Sequence, residues 1–265
     1  MLPAGPLESK VCARRRRFTA APTPAMGFDR IFADPNRKVS DFSFNAETAE
    51  VFEDMLDRSV PGYREMQRMI CELACDFAVD GTNVYDLGCS TGTTIRHLDA
   101  VPQQVRFVGV DSSQAMLDKA SHAFDATPLR HPYSLVCRNL NEGSHVEEAS
   151  VVVMSLTLQF VRPLHRERVL RDIHGGLHDD GCLILVEKVL GEDSLFNRMF
   201  IKHYYEMKKR NGYSEMEIMQ KREALENVLV PYRLEENKQL LRETGFSKID
   251  TFVKWYNFAG MIAVK

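Results

Sequence analysis

Val84-Tyr85-Asp86-Leu87-Gly88-Cys89-Ser90-Thr91-Gly92 is the stretch on which the reading of the whole chain turns. A short apolar run meets an acid and breaks into a loop of small residues, and Thr93 to Leu98 then carry a helical pattern. This outlines a first strand, a tight turn and a helix N-terminus, where an open α/β sheet receives a nucleotide-like ligand. Gly88 and Gly92 matter because backbone without Cβ reaches positive φ and lets a ligand approach closely. The spacing is not the dinucleotide-binding G-x-G-x-x-G, and the Gly-Lys-Ser/Thr of a P-loop is absent.

Outward from this loop the chain alternates. Strands are expected over Asn83–Leu87, Val105–Val110, Tyr133–Cys137, Ser150–Met154 and Cys182–Val186, with helices over Thr93–Asp99, Ser113–Phe124 and Pro163–Leu177. Near-continuous apolar strands alternating with helices indicate a parallel sheet covered on both faces. Upstream, Asn45 is a plausible N-cap for a helix striped by Val51, Phe52, Met55 and Leu56, which Pro61-Gly62 ends. A second helix carries Met66, Met69, Ile70, Leu73 and Phe77. Downstream, Ser194–Lys209 and Ser214–Val228 are helical segments separated by the turn signal Asn211-Gly212. A last helix over Leu234–Thr244 ends at Gly245, and Phe246–Phe252 and Asn257–Val264 close the chain as an antiparallel pair with a wider loop.

The 265 residues carry a net charge of −3, with 44% hydrophobic and 27% charged residues, ordinary for a globular protein. That balance gives no global attraction to nucleic acid or anionic membrane. The six cysteines, Cys12, Cys71, Cys75, Cys89, Cys137 and Cys182, show neither C-x-x-C nor secreted disulfide spacing, so reduced, cytosolic thiols and no metal are expected. No apolar run approaches a membrane span. Residues 1–25, rich in Pro, Ala and Arg, read as unfolded: a flexible tail, sequence ahead of a start at Met26, or a nucleic-acid-binding arm. The expected division is therefore an extension over 1–40 and one α/β domain over 41–265, with a helical insertion at about 190–230.

Asp111 ends the second strand about twenty residues after the glycine loop, where a carboxylate accepts hydrogen bonds from a ribose diol; the alternative is a cap for the helix starting at Ser113. The outline Asp86-x-Gly88-x-x-x-Gly92 resembles that of the S-adenosylmethionine-binding enzymes. In that superfamily the loop after the third strand reads the adenine amino group. Asn139 is able to do so through its carbonyl oxygen, or is a plain turn residue. Ser155, after the fourth strand, faces the sulfonium and methyl of the cofactor, or caps a turn.

Several segments narrow the resemblance: Glu50-Val51-Phe52-Glu53-Asp54-Met55, Arg58-Ser59-Val60-Pro61-Gly62-Tyr63, Tyr85 to Ser90, Leu156-Thr157-Leu158-Gln159-Phe160, Glu187-Lys188, Asn211-Gly212-Tyr213-Ser214, Gln220-Lys221-Arg222 and Leu225-Glu226-Asn227-Val228. In this order they resemble the carboxy-S-adenosyl-L-methionine synthase family, from about Asp41 to Lys265. The resemblance implies a Rossmann-like class I methyltransferase fold with a mostly parallel seven-stranded sheet. It implies an enzyme that carboxylates the S-adenosyl-L-methionine methyl group rather than donating it. Prephenate supplies the carboxyl group and leaves as phenylpyruvate, and the carboxy-S-adenosyl-L-methionine formed goes to transfer-RNA wobble uridine modification. Loss of a proton beside the sulfonium gives an ylide, which a closed, dry site protects from water.

The cofactor contacts that the family implies fall on Tyr63, Gly88, Cys89, Ser90, Asp111, Ser112, Asn139, Leu140, Ser155 and Arg222, with no side chain assigned as general base. Arg222 matches the arginine that pairs with the new carboxylate, a task for a planar fork of donors; without the match, Lys221 and Arg222 read as a solvated helix face. Ser155 and Asn139 depart from the family's asparagine and aspartate. A cytoplasmic homodimer with no direct nucleic-acid or membrane contact is implied, its interface on the helical insertion. Two readings compete: an ordinary methyltransferase acting on transfer RNA or a small molecule, and a non-catalytic cofactor-binding protein. The Lys208, Lys209, Arg210 cluster at a helix end reads as complementing the helix dipole.

Overall fold

A computed structural model describes residues 27–36 and 38–265; the expectations for residues 1–26 lie outside the described residues. Two helices, α1 (Ala46–Ser59) and α2 (Tyr63–Phe77), precede β1 (Asn83–Leu87) and α3 (Thr93–Leu98). The chain then runs through β2 (Arg106–Asp111), α4 (Gln114–Ala126), β3 (Tyr133–Cys137), β4 (Ala149–Ser155), α5 (Pro163–Gly176) and β5 (Leu177–Lys188). The insertion holds α6 (Ser194–Arg210) and α7 (Glu215–Leu225), and α8 (Leu234–Glu243), β6 (Lys248–Trp255) and β7 (Phe258–Val264) finish the chain.

The seven strands form one sheet in the order β3-β2-β1-β4-β5-β7-β6. Strands β1 to β5 pair in parallel, while β7 runs antiparallel to β5 and β6. Strand order reverses between β1 and β4, which puts the crevice for a ligand at their C-terminal ends. Alternation along β4 explains its unbroken apolar run. Val151 and Val153 face a core with Ile70 and Ala74 of α2, Ile95 of α3 and Phe124 of α4. Val152 and Met154 face the opposite core with Val169 and Ile173 of α5 and Leu241 of α8.

Three boundaries differ from expectation. Strand β5 begins at Leu177 rather than Cys182, because the polar run His178-Asp179-Asp180 continues the strand where its side chains are exposed and Asp180 takes φ +60°. The β6–β7 hairpin is tight rather than wide: Trp255 pairs with Phe258, leaving Tyr256 and Asn257 as the loop. The packed chain starts before Asp41. Ile31 and Phe32 are buried, against Ala49, Phe52 and Met55 of α1, Met116 of α4 and Ala224 of α7. A pair of apolar residues in a polar stretch carries no period, and only these long-range partners give it a place.

This N-terminal strap ties the elements above the strand ends. The Phe42 N–H donates to the Ala224 carbonyl at 2.8 Å, the Phe44 carbonyl accepts from the Ser113 hydroxyl, and the Phe44 ring meets Phe160 edge-on at 5.1 Å. Asn45 caps α1, its Oδ1 accepting from the Thr48 N–H at 3.0 Å, a contact of about 1 kcal/mol in such helices.

Candidate functional site

The glycine loop leaves β1 with its backbone still paired: the Gly88 and Cys89 N–H groups both donate to the Val110 carbonyl, at 2.7 and 3.1 Å. Gly88 has φ +83°, and a Cβ there would lie 2.3 Å from Thr157 Oγ1 in the loop after β4. Gly92, at φ +78°, would put a Cβ 2.5 Å from the Phe124 ring. Both positions exclude any other residue, and Gly88 is where the loops after β1 and β4 meet.

Asp111 locks the second loop to the first. Its Oδ2 accepts from the Ser90 N–H at 2.9 Å and its Oδ1 from the Ser113 N–H at 2.8 Å. Ser113, not Asp111, caps α4, accepting from the Met116 N–H at 3.2 Å. Burial raises the Asp111 pKa, and these backbone donors oppose the rise. Beside it Asp86 is 1% exposed, and burial followed by the Asp111 charge pushes its carboxyl up to about 8. Asp86 Oδ2 has no hydrogen-bond partner. A buried acid with an unused oxygen next to a second acid suits a cationic ligand, which would pair with the one and relieve the repulsion of the other. A cofactor with a sulfonium and an amino group fits this floor. Burial and the two carboxylates raise the Cys89 thiol pKa, so it is no nucleophile.

The structure brings Tyr63, Gly88, Cys89 and Ser90 to one small cavity of about 30 Å³, completed by Phe52, Leu56, Thr91, Thr93 and Thr94. Burial, then the Asp86 charge, raises the Tyr63 hydroxyl pKa, so it stays a donor. The other residues expected there stand on the same strand-end edge: Ser112 after β2, Asn139 and Leu140 after β3, and Ser155 at the end of β4. Asn139 is exposed and forms a turn, its Oδ1 accepting from the Asn141 N–H at 3.0 Å and Nδ2 at 2.9 Å. The Ser155 carbonyl accepts from the Thr157 hydroxyl at 3.3 Å, and Leu156 follows at φ +61°. A wider concavity of about 550 Å³ lies at the opposite edge, between Val146 before β4 and Leu177-His178 at the start of β5. It has no glycine loop and no strand-end acid, so chemistry rather than volume assigns the site.

Behind the β4 loop, Glu187 accepts from the Leu158 and Gln159 N–H groups at 2.9 and 2.8 Å, and burial pushes its carboxyl up to about 8. Arg166, 1% exposed, donates to the Val161, Gln159 and Val230 carbonyls and so ties this loop to the insertion.

The insertion supplies the cations. Arg222 is exposed on α7, and its charge is felt at Lys188, the last residue of β5, whose amine burial lowers to about 8. Lys221 and Lys208 are 6% and 4% exposed, so neither the solvated-face nor the helix-end reading describes them. Lys221 Nζ lies 3.8 Å from Asp29 Oδ2, which also accepts from the Tyr213 hydroxyl at 2.5 Å. Sequence reasoning passed over Asp86, Lys188, Lys208 and Lys221 as site residues. Asp86 stood in the strand–loop outline, and Lys188 and Lys221 lay inside the family-like segments; Lys208 had no such signal.

Residues 85–183 match the model of a methyltransferase domain. Among solved structures, the chain is similar to an O-methyltransferase family protein from Burkholderia thailandensis, with TM-score 0.62 and 15% identity over 86% of this chain and 65% of that one. Human N-acetylserotonin methyltransferase, solved in complex with S-adenosylmethionine, gives TM-score 0.54 and 12% identity over 83% of this chain and 55% of that one. The fold is that of the class I S-adenosylmethionine-dependent methyltransferases. At the level of sequence, the carboxy-S-adenosyl-L-methionine synthase of Methylococcus capsulatus is 55% identical over 91% of this chain and its own full length. That of Desulfotalea psychrophila is 42% identical over 89% of this chain and 97% of its own. The chain belongs to the carboxy-S-adenosyl-L-methionine synthase family and is an enzyme with a methyltransferase-like fold.

Proposed function

We propose that the protein converts S-adenosyl-L-methionine and prephenate to carboxy-S-adenosyl-L-methionine and phenylpyruvate, for use in modifying the wobble uridine of transfer RNA. The family membership supports the reaction, and the observation that carries it to this chain is Arg222, exposed on α7, whose charge is felt at Lys188 at the end of β5. A methyl group has no use for a guanidinium, whereas a carboxylate built on that methyl does. Tyr63, the Gly88–Ser90 backbone, Asp111 with Ser112, Asn139 with Leu140, and Ser155 are the proposed cofactor contacts. For Asn139 to read adenine, its Oδ1 must share or leave its turn bonds to Asn141. The balance closes without an added oxidant: the ring carboxyl of prephenate leaves as carbon dioxide and its hydroxyl as hydroxide. The sulfonium methyl gives up one proton, which combines with that hydroxide as water, and the carbanion left behind takes the carbon dioxide.

The enzyme is proposed to act as a cytoplasmic homodimer, with no direct contact to nucleic acid. Among the described residues no helix is long and apolar enough to cross a membrane. Leu195, Phe196 and Met199 of α6 and Tyr256 of the β6–β7 turn are exposed, with the half-buried Phe200 ring against Phe196 and Tyr256, an apolar face that supports α6 as the contact between copies. Light scattering reads the mass directly. Mass spectrometry after incubation with S-adenosyl-L-methionine and prephenate tests the reaction. A cofactor heavier by carbon dioxide, together with phenylpyruvate, is the expected result; unchanged cofactor from folded protein removes the reading.

A further inference from the structure

Three lysine amines stand around two tyrosine rings where β5 meets the insertion. Lys188 Nζ lies 4.9 Å from the centre of the Tyr204 ring, and Lys208 Nζ lies 5.8 Å from that ring and 4.9 Å from the Tyr213 ring. Lys221 Nζ lies 5.7 Å from the centre of the Tyr213 ring. The Arg222 charge is felt at Lys188, and the Arg58 guanidinium stacks on Tyr213 at 4.0 Å. The acids do not balance them. Asp29 is shared among Lys221 at 3.8 Å, the Tyr213 hydroxyl and the Ile31 N–H, and Asp54 is taken by Arg58 at 2.8 Å. Among the described residues Lys188 and Lys208 have no carboxylate within ion-pair reach, and the Lys208 amine makes no hydrogen bond.

Packing does not account for this. Methionine fills the same space without a buried amine, and replacing buried charge by apolar side chains of similar volume is commonly neutral or stabilising. Unbalanced buried charge is kept where a ligand supplies the missing sign. Here the ligand is an anion, and the burial of Lys208 and Lys221 excludes a polymer backbone in favour of a small acid. Amines spread around two rings, with the charge of the exposed Arg222 felt at one of them, match more than one carboxylate.

We propose that Lys188, Lys208 and Lys221 receive the anionic co-substrate, a small acid with two carboxylates, and that Lys208 takes up a proton as it binds. The identity of the acid rests on the carboxylation reading; the receptor rests on the amines. Burial and the charges of Lys221 and Lys188 hold the Lys208 amine down at about 6, against the weaker pull of Asp29 and Glu217. Near pH 7 it is therefore largely neutral, while Lys188 and Lys221, at about 8, are largely charged. Carboxylates entering beside Tyr204 and Tyr213 favour the charged amine, and solvent provides the proton. No bond other than that N–H forms.

The test is calorimetry of prephenate binding to the full chain saturated with S-adenosyl-L-methionine, near pH 7, in two buffers of different ionisation enthalpy. The difference in heat gives the proton count. The parent takes up close to one proton. Lys208→Met takes up almost none and binds about tenfold more weakly or worse, with S-adenosyl-L-methionine binding unchanged. Lys208→Arg, charged throughout, keeps binding and loses the proton uptake. Phenylpyruvate, with one carboxylate, binds the parent more weakly than prephenate does. Parent-like affinity and proton uptake in Lys208→Met overturn the proposal, as does a parent that binds none of prephenate, phenylpyruvate and malonate. Binding of these acids through Lys208 without formation of a carboxylated cofactor leaves the receptor standing and removes the reaction instead.

Discussion

At the C-terminal ends of β1 and β2, Asp86 and Asp111 are buried side by side, and Asp86 is pushed up to about 8. In the insertion, Lys208 and Lys221 are buried around Tyr213 and are brought down to about 6 and 8. One region stores negative charge it cannot solvate and the other positive charge, so each moves toward neutrality until a ligand of opposite sign arrives. The floor suits the sulfonium and amino group of a cofactor. The wall suits carboxylates. On the proposed reading, two substrates of opposite charge are sorted to two places before any chemistry occurs, and binding at the floor would release protons where binding at the wall would take them up.

The comparison breaks most readily at Gly88. Gly88→Ala puts a Cβ 2.3 Å from Thr157 Oγ1 at φ +83°. Left-handed strain and the overlap together cost about 3 kcal/mol of stability, and the displaced loop loses cofactor binding by about a hundredfold. Thermal unfolding and calorimetry with S-adenosyl-L-methionine measure the two losses. A variant that binds as the parent does would move the cofactor away from this loop.

Arg222→Ala acts on the wall alone. A guanidinium–carboxylate contact contributes about 2 kcal/mol, so the variant loses most of its preference for carboxy-S-adenosyl-L-methionine over S-adenosyl-L-methionine, about thirtyfold. Competitive displacement reads that ratio. Arg222→Lys recovers only part of it, because an ammonium lacks the planar fork. Equal loss of both ligands would place Arg222 on the floor's side of the comparison.

The two regions were unequally legible in the sequence. The floor is local: Asp86, Gly88 and Gly92 lie within seven residues, and Asp111 follows at the end of the next strand, so strand–turn–helix patterning exposes them. The parallel sheet was legible for the same reason. The wall joins Asp29 of the strap, Ser59 of α1, Lys188 of β5, Lys208 of α6, Tyr213 of the α6–α7 turn and Lys221 of α7, and no period links them. Lys208 next to Lys209 and Arg210 looks like a solvated helix end, although one turns inward and its neighbours outward. The strap at Ile31-Phe32 escaped in the same way, since its only reason to be ordered is what it packs against. Resemblance singled out Arg222 as a candidate; the buried amines of Lys208 and Lys221 emerge only from the packing.

The pH dependence of stability separates floor from wall by sign. Asp86 and Glu187 have folded values of about 8, above the ordinary carboxylate range. Between about pH 4 and that value the folded chain holds protons the unfolded chain has released, so this contribution to stability falls as pH rises and is lost through about 8. Buried lysines with folded values of about 6 and 8 do the reverse: they contribute above the ordinary lysine range and lose that contribution as pH falls through their folded values. Asp86→Asn therefore gains on the parent as pH is raised from 5 to 8, by a few degrees in Tm, while its affinity for the cationic cofactor drops. Saturating the parent with S-adenosyl-L-methionine should flatten the same slope, because a cation beside Asp86 favours the ionised form. A slope unchanged by both the substitution and the cofactor would show that Asp86 does not face the ligand.

Arg68 provides the smallest expected effect and shows what makes the comparison physical rather than a count of charges. It stands on α2, the helix that Tyr63 opens, and pairs with Glu65 and Glu72, all three well exposed. Water already solvates these groups, so neither pairing nor loss of pairing moves the fold far. Arg68→Ala should leave cofactor and prephenate binding unchanged and shift Tm by no more than about one degree, in contrast to any substitution of the buried charges. Differential scanning calorimetry at low and high salt checks this. A large, salt-sensitive drop in Tm would mean that charge on α2 steadies the floor from outside, and burial would then no longer be the property that separates Asp86 and Lys208 from exposed charges such as Arg68.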